Sequence, residues 1–407
     1  IVRVIMACSL VLHALASKAT RLKACRAPAS ELIVGAALDI VCVLSGPFIR
    51  VIQLILDYVC VGLVLVVGWS RWLRRFPRLQ HHFGNLDASG EDTWKGVARP
   101  TELDWYDRSS ARGYGHLLCP AGAVERSTAI LFVHGGGWVA CEPTLLVPSV
   151  TPYARAGFTT YVIAYPLSPG TVFPGALRAV LLALARLEAL GFSRVIVMGE
   201  SAGGNLATMA ATVLTNPPLV TLLQRCAPQL DFSFCSRLSV SALAVVSLYG
   251  IHDRQSWATG NTRGGVWANR LFVFGLSVCM RCYLGRRAPH TRAPSELATL
   301  VDLLEQHGNA ISQLPPMLLM VGDHDPLVHS SATAHKLLLS CGFKATLEVL
   351  EGAPHAFLTL PPAYNPTLSE THSKPATRRI IDFCAAADRS AAEQSVLSAE
   401  CTAGRGK

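Results

Sequence analysis

Short apolar runs rich in β-branched residues recur from about residue 129 onward, each bounded by glycine, proline or polar positions. Ala129–Val133, Thr159–Tyr165, Arg194–Met198, Ala242–Tyr249, Met317–Val321 and Ala345–Leu350 are of strand length and predict buried strands. Between them lie stretches of helix formers: Ala176–Leu190 before the third run, and Leu206–Ala211 after it. Strands that alternate with helices argue for a mostly parallel sheet with helices on both faces, an α/β architecture. Residues 251–313 break the alternation, with no clear strand and one helix expected near Glu296–Gln306. An insertion of that length inside a compact domain reads as a cap. These patterns set the expected domain at 127–387, preceded by a polar, turn-rich linker and domain entry over 80–126. The small, polar residues 388–407 read as a disordered tail.

The first 79 residues follow a different pattern. Residues 1–16 are apolar and lead into a basic cluster of Lys18, Arg21, Lys23 and Arg26. A second apolar stretch, Leu32–Ile49, breaks at Gly46-Pro47, and a third runs from Val51 to Trp69 with Gln53 and Asp57 as its strongly polar members. The third has 19 residues, close to the roughly 20 that a crossing helix needs. It predicts an N-terminal membrane-anchor region over 1–79, with a signal peptide or a buried core helix as the alternatives. Arg71, Arg74, Arg75 and Arg78 follow at once. Cationic flanks stay on the cytosolic side, so the expected placement is membrane-anchored with the following domain in the cytosol.

Composition agrees with that division. The chain is 51% hydrophobic with a net charge of +9, and its mean hydropathy is +0.36. Such values point to a membrane segment beside a core. The positive charge is not gathered into lysine-rich runs interleaved with aromatics, so nucleic acid is not the expected partner. Thirteen cysteines are scattered mostly in apolar surroundings. The C-x-x-C of Cys279 and Cys282 lacks a second ligand pair, so buried thiols are expected rather than a zinc site or a disulfide framework. No metal and no organic cofactor are predicted.

The chemistry gathers at strand ends. Gly199-Glu200-Ser201-Ala202-Gly203 joins the third strand to the following helix, the context of a nucleophile elbow in which the serine is held in a strained turn. The amide of Ala202, opening the helix, is placed to face developing negative charge. His134-Gly135-Gly136-Gly137 follows the first strand. Its glycines let backbone N–H groups approach a substrate oxygen and, with Ala202, complete an oxyanion hole; the run lacks the spacing of a phosphate loop. Asp325, 124 residues beyond Ser201, lies in Gly322-Asp323-His324-Asp325-Pro326-Leu327, and His355 follows 30 residues later in Ala353-Pro354-His355-Ala356-Phe357. The order serine, aspartate, histidine is that of an α/β-hydrolase triad, with His355 as base and Asp325 fixing its tautomer. Asp323 remains an alternative acid, and His324 with His329 an alternative metal pair.

The segments HGGGW, GESAGGN, GDHDPL and PHAF resemble those of the hormone-sensitive-lipase-like (fold-3) α/β-hydrolases, a group that includes arylacetamide deacetylase and steryl acetyl hydrolases. The resemblance covers roughly 127–387 and implies the α/β-hydrolase fold. It also implies Ser201 as nucleophile, Asp325 as acid, His355 as base, and Gly135, Gly136 and Ala202 as oxyanion donors. Two departures stand out: Tyr165-Pro166-Leu167-Ser168-Pro169 lacks the arginine usual at its second position, and Val328-His329-Ser330 replaces an Arg-Asp-Glu continuation. The expected function is hydrolysis of small or lipophilic carboxylic esters through an acyl-serine, with no cofactor. An amidase or deacetylase is the alternative within the enzymes. A non-catalytic ligand-binding receptor of the same fold is the alternative outside them, though such receptors lose the histidine that this chain keeps as His355.

Overall fold

The computed structural model describes residues 95–105, 113–121, 126–256, 266–285, 295–359 and 366–404. Eight strands form one sheet in the order β1-β2-β4-β3-β5-β6-β7-β8. They are β1 (Thr101–Trp105), β2 (Gly113–Leu118), β3 (Thr128–Val133), β4 (Thr160–Ile163), β5 (Arg194–Glu200), β6 (Ser241–Leu248), β7 (Met317–Gly322) and β8 (Ala345–Leu350). From β4 through β8 every neighbouring pair is parallel. β1 pairs antiparallel with β2, and β2 antiparallel with β4.

The central strands are buried on both faces because helices cover both, and the pleat divides their side chains between two cores. Ala129, Leu131, Val133, Val195 and Val197 point to one core with Leu177, Val180, Leu206 and Met209 of helices α2 (Gly175–Ala189) and α3 (Ala202–Thr215). Ile130, Phe132, Ile196 and Met198 point to the other. There they meet Val150 and Tyr153 of α1 (Val147–Arg155) and a stripe of Ala376, Ile380 and Cys384, spaced four apart, on the last helix (Lys374–Gly404). Helix α4 (Pro218–Cys226) adds Leu219 and Leu223 to the first core.

Two boundaries differ from the sequence reading. The segment 80–126, expected as linker and domain entry ahead of a domain starting at 127, already contributes β1 and β2 to the sheet. Its polar positions are those of an edge hairpin, where β2 shows a mixed burial pattern and Glu102 of β1 is exposed. The tail expected to be disordered from 388 onward instead continues the last helix to Gly404. Asp388 explains why, since its carboxylate accepts from Arg126 at 2.7 Å and from Thr128 at 2.6 Å, tying that helix to the start of β3. Composition alone did not show this long-range anchor. The insertion at 251–313 holds helices α5 (Val266–Leu284) and α6 (Leu300–His307) and, among the described residues, no strand.

The predicted membrane span Val51–Trp69 lies outside the described residues. Among the described residues no helix is long and apolar enough to cross a membrane. No disulfide joins the cysteines of the described residues, and Cys235, Cys282 and Cys384 are buried.

Candidate active site

The carboxyl ends of β3, β5, β6 and β7 open onto one edge of the sheet, and the loops leaving them carry the candidate residues. Ser201 stands between β5 and α3 at φ 50° and ψ −119°, a conformation an L-residue holds only when its surroundings over-determine it. The two flanking glycines supply that determination. A Cβ on Gly199 would lie 2.2 Å from the carbonyl oxygen of Gly203, and one on Gly203 would lie 2.1 Å from that of Val133. The elbow is therefore a backbone-to-backbone contact between the serine turn and the end of β3. Ser201 N–H donates to Leu248 O at 2.9 Å, which fixes the turn to β6 as well.

His355, in the loop after β8, joins the elbow to the end of β7. Its Nδ1 lies 2.8 Å from Asp325 Oδ2, and its Nε2 lies 3.2 Å from Ser201 Oγ. Because an ionised carboxylate can only accept, Nδ1–H donates to Asp325, and Nε2 is left to accept the serine hydroxyl. Asp325 is fully buried, and its other oxygen accepts from Leu327 N–H at 2.8 Å. Asp323, the alternative acid, turns elsewhere: its Oδ1 accepts Gly352 N–H at 2.6 Å. Gly322 brings the two loops together, since a Cβ there would meet Ala353 O at 1.9 Å.

The glycine run after β3 makes the opposite wall. Gly136 and Gly137 have φ of 95° and 60°, which glycine adopts without a Cβ clash. Tyr165 OH donates to His134 O and Gly135 O, each at 3.1 Å, while the Tyr165 ring stacks on His134 at 4.2 Å. Burial pulls the His134 imidazole down to a pKa of about 4, so it is neutral, and its Nδ1–H donates to Gly135 O. Ala202 is buried at the first position of a helix of 14 residues. Gly135, expected as an oxyanion donor, directs its N–H to Glu200 Oε1 at 3.2 Å instead.

Helix α5 lies across the mouth of this arrangement. Phe272 meets His355 edge-on at 4.7 Å, and Cys279 lies against Gly137. Tyr283 stacks on Trp138 at 4.3 Å and packs against Phe173. Helix α6 is fastened beneath, with Asn205 Nδ2 donating to Ala298 O and Arg254 holding Asp302 through two hydrogen bonds. Among the described residues no group of three or more histidine, cysteine or carboxylate side chains could hold a metal ion.

The sequence reading did not single out Glu200, Tyr249 or Phe272. A glutamate that ends a strand apolar from Val195 to Met198 is the one signal that pointed to burial with a purpose. Phe272 carries no such mark, because an aromatic in an apolar helix is ordinarily core.

The family profile described as alpha/beta hydrolase fold matches residues 130–359 of this chain. Lipase 2 of Moraxella sp. (strain TA144) is 26% identical over 345 residues, covering 73% of this chain and 75% of that protein. Carboxylesterase NlhH of Mycobacterium tuberculosis (strain CDC 1551 / Oshkosh) is 27% identical over 234 residues, covering 54% and 62%. Among solved structures, a bacterial heroin esterase superposes with a TM-score of 0.55 at 22% identity, covering 75% of this chain and 91% of that one. An esterase from the bacterial hormone-sensitive lipase family superposes with a TM-score of 0.50 at 23% identity, covering 70% and 83%. At such identities the superpositions speak for the fold.

Proposed function

The chain belongs to the α/β hydrolase fold family, its motifs are those of the hormone-sensitive-lipase-like group, and on that premise we propose that it is a serine esterase. The substrates are small or lipophilic carboxylic esters, the class to which the names of its lipase and carboxylesterase relatives point. The observation that carries the reading is His355, which bridges Ser201 Oγ and Asp325 Oδ2 through its two ring nitrogens.

The geometry supports the following chemistry. Ser201 Oγ attacks the ester carbonyl carbon as His355 Nε2 takes its proton, and the imidazolium so formed is stabilised by Asp325. Negative charge moves to the carbonyl oxygen, where the amides of Ala202 and Gly136 donate to it and the amino end of α3 adds its dipole. Collapse breaks the bond to the alcohol oxygen, which leaves with the proton held by His355. The acyl-serine is then cleaved by water through the same steps in the same order. No metal and no organic cofactor takes part.

Anchoring belongs to the same proposal. Val51–Trp69 would span a bilayer, and the arginines that follow would keep the hydrolase domain on the cytosolic face. Protease added to sealed microsomes should remove a C-terminal tag without detergent; protection until detergent is added would contradict that placement.

Purified protein assayed on nitrophenyl esters of graded chain length, beside Ser201→Ala, tests the activity. Turnover that disappears in the variant is the expected result. A wild-type chain that binds esters without turning any over would favour the receptor of the same fold.

A further inference from the structure

Glu200 immediately precedes the candidate nucleophile and is only 5% exposed. Among the described residues no lysine or arginine forms an ion pair with its carboxylate. A buried carboxylate without a cation is costly, so its hydrogen bonds must hold it. One oxygen accepts Gly135 N–H at 3.2 Å, and the other accepts Tyr249 OH at 2.8 Å.

Each partner belongs to a different wall of the site. Gly135 lies in the glycine run, and a Cβ on it would stand 3.2 Å from Glu200 O, Glu200 Oε1 and Ser201 Cβ. Tyr249 follows β6 at φ 40°, a strained value for a tyrosine, with its N–H on Met320 O at 2.6 Å. Its ring meets His355 edge-on at 5.0 Å and Phe357 at 5.2 Å, and its hydroxyl also reaches Thr359 Oγ1 at 3.3 Å. One carboxylate thus touches the loop that faces the substrate oxygen and the ring that backs the base. Tyr153, Tyr165 and Cys141 are the other titratable groups that feel it, and burial above all raises each of them, so they stay neutral beside it and add no second negative charge.

We propose that Glu200 is a positioning residue that locks the Gly135 loop and, through Tyr249, the His355 ring into one unit. Gly135 N–H serves Glu200 in this arrangement, and the oxyanion is left to Gly136 and Ala202. The inference rests on the serine-esterase reading.

Glu200→Gln, Tyr249→Phe and the double variant, compared with wild type on nitrophenyl acetate, test it. In Glu200→Gln, kcat should fall about tenfold or more with KM within about twofold, the size expected of a lost hydrogen bond to a charged group. Tyr249→Phe should lose several-fold in kcat, and the double variant should be no slower than Glu200→Gln alone, because the two act through one bond. Wild-type kcat in Glu200→Gln, or additive losses in the double variant, would each overturn the proposal. Should Glu200→Gln fail to accumulate, Tyr249→Phe decides alone: wild-type kcat there overturns the proposal. A wild-type chain that hydrolyses no ester would instead refute the serine-esterase reading beneath it.

Discussion

The two walls of the site are built by different means. On the nucleophile side, the Ser201 turn is held against the end of β3 by backbone pressed on backbone, with no space for a methyl group at Gly199 or Gly203. On the base side, His355 sits in a loop and is held by side chains: Asp325 by hydrogen bond, Tyr249 and Phe272 by ring edges. The first construction is all-or-none, because close-packed backbone cannot yield by small steps. The second is graded, since each side chain can be removed while the others stay.

The difference is broken most severely at Gly203. Gly203→Ala places a methyl on the Val133 carbonyl and should destabilise the fold by about 3 kcal/mol or more. Thermal denaturation would show it, and a wild-type melting temperature would contradict the backbone contact. Next comes the base side, where Asp325→Asn should leave the fold intact and lower kcat by about 10⁴-fold through the wrong histidine tautomer. Asp323→Asn, at the carboxylate that accepts Gly352 N–H, should cost at most a few-fold by the same assay; the reverse ranking would exchange the two roles.

Acid should also separate the walls. His134 in the glycine run and His252 beneath the elbow are fully buried, and burial lowers both to a pKa of about 4. Unfolding returns each to about 6.5, so the unfolded state binds more protons between those values and stability falls as pH drops from about 6.5 towards 4. The loss approaches about 3 kcal/mol for each histidine. Melting temperatures measured across that window, in wild type and in His252→Asn, should show the slope diminish in the variant. Smallest is Phe272→Ala, which removes one ring edge from His355 and should lower kcat only several-fold.

Legibility in the sequence follows the same division. Backbone contacts demand glycine at fixed spacing, so Gly199, Ser201, Gly203 and the run at Gly135–Gly137 announce themselves in one dimension. Central strands are legible too, because burial on both faces leaves a continuous apolar run such as Ile130-Leu131-Phe132. The edge hairpin β1–β2 was read only as linker and domain entry, without strands, since half-exposed strands with Glu102 and His116 carry little apolar signal. The last helix was cut short because Asp388 finds its partners, Arg126 and Thr128, some 260 residues away in sequence. Props that act through rings, such as Tyr249 and Phe272, look like ordinary core residues until the chain has folded. Glu200 lay inside the most legible motif and was passed over, because its partners come from two other loops.

The central claim is that Ser201 is the residue that becomes covalently acylated. Incubation with a fluorophosphonate probe, followed by peptide mapping by mass spectrometry, tests it most directly. The account predicts a single labelled peptide spanning Val195–Asn205 with the adduct on Ser201, abolished in Ser201→Ala and slowed by about 10³-fold or more in His355→Ala. Undiminished labelling in Ser201→Ala, or an adduct on another residue, would contradict it.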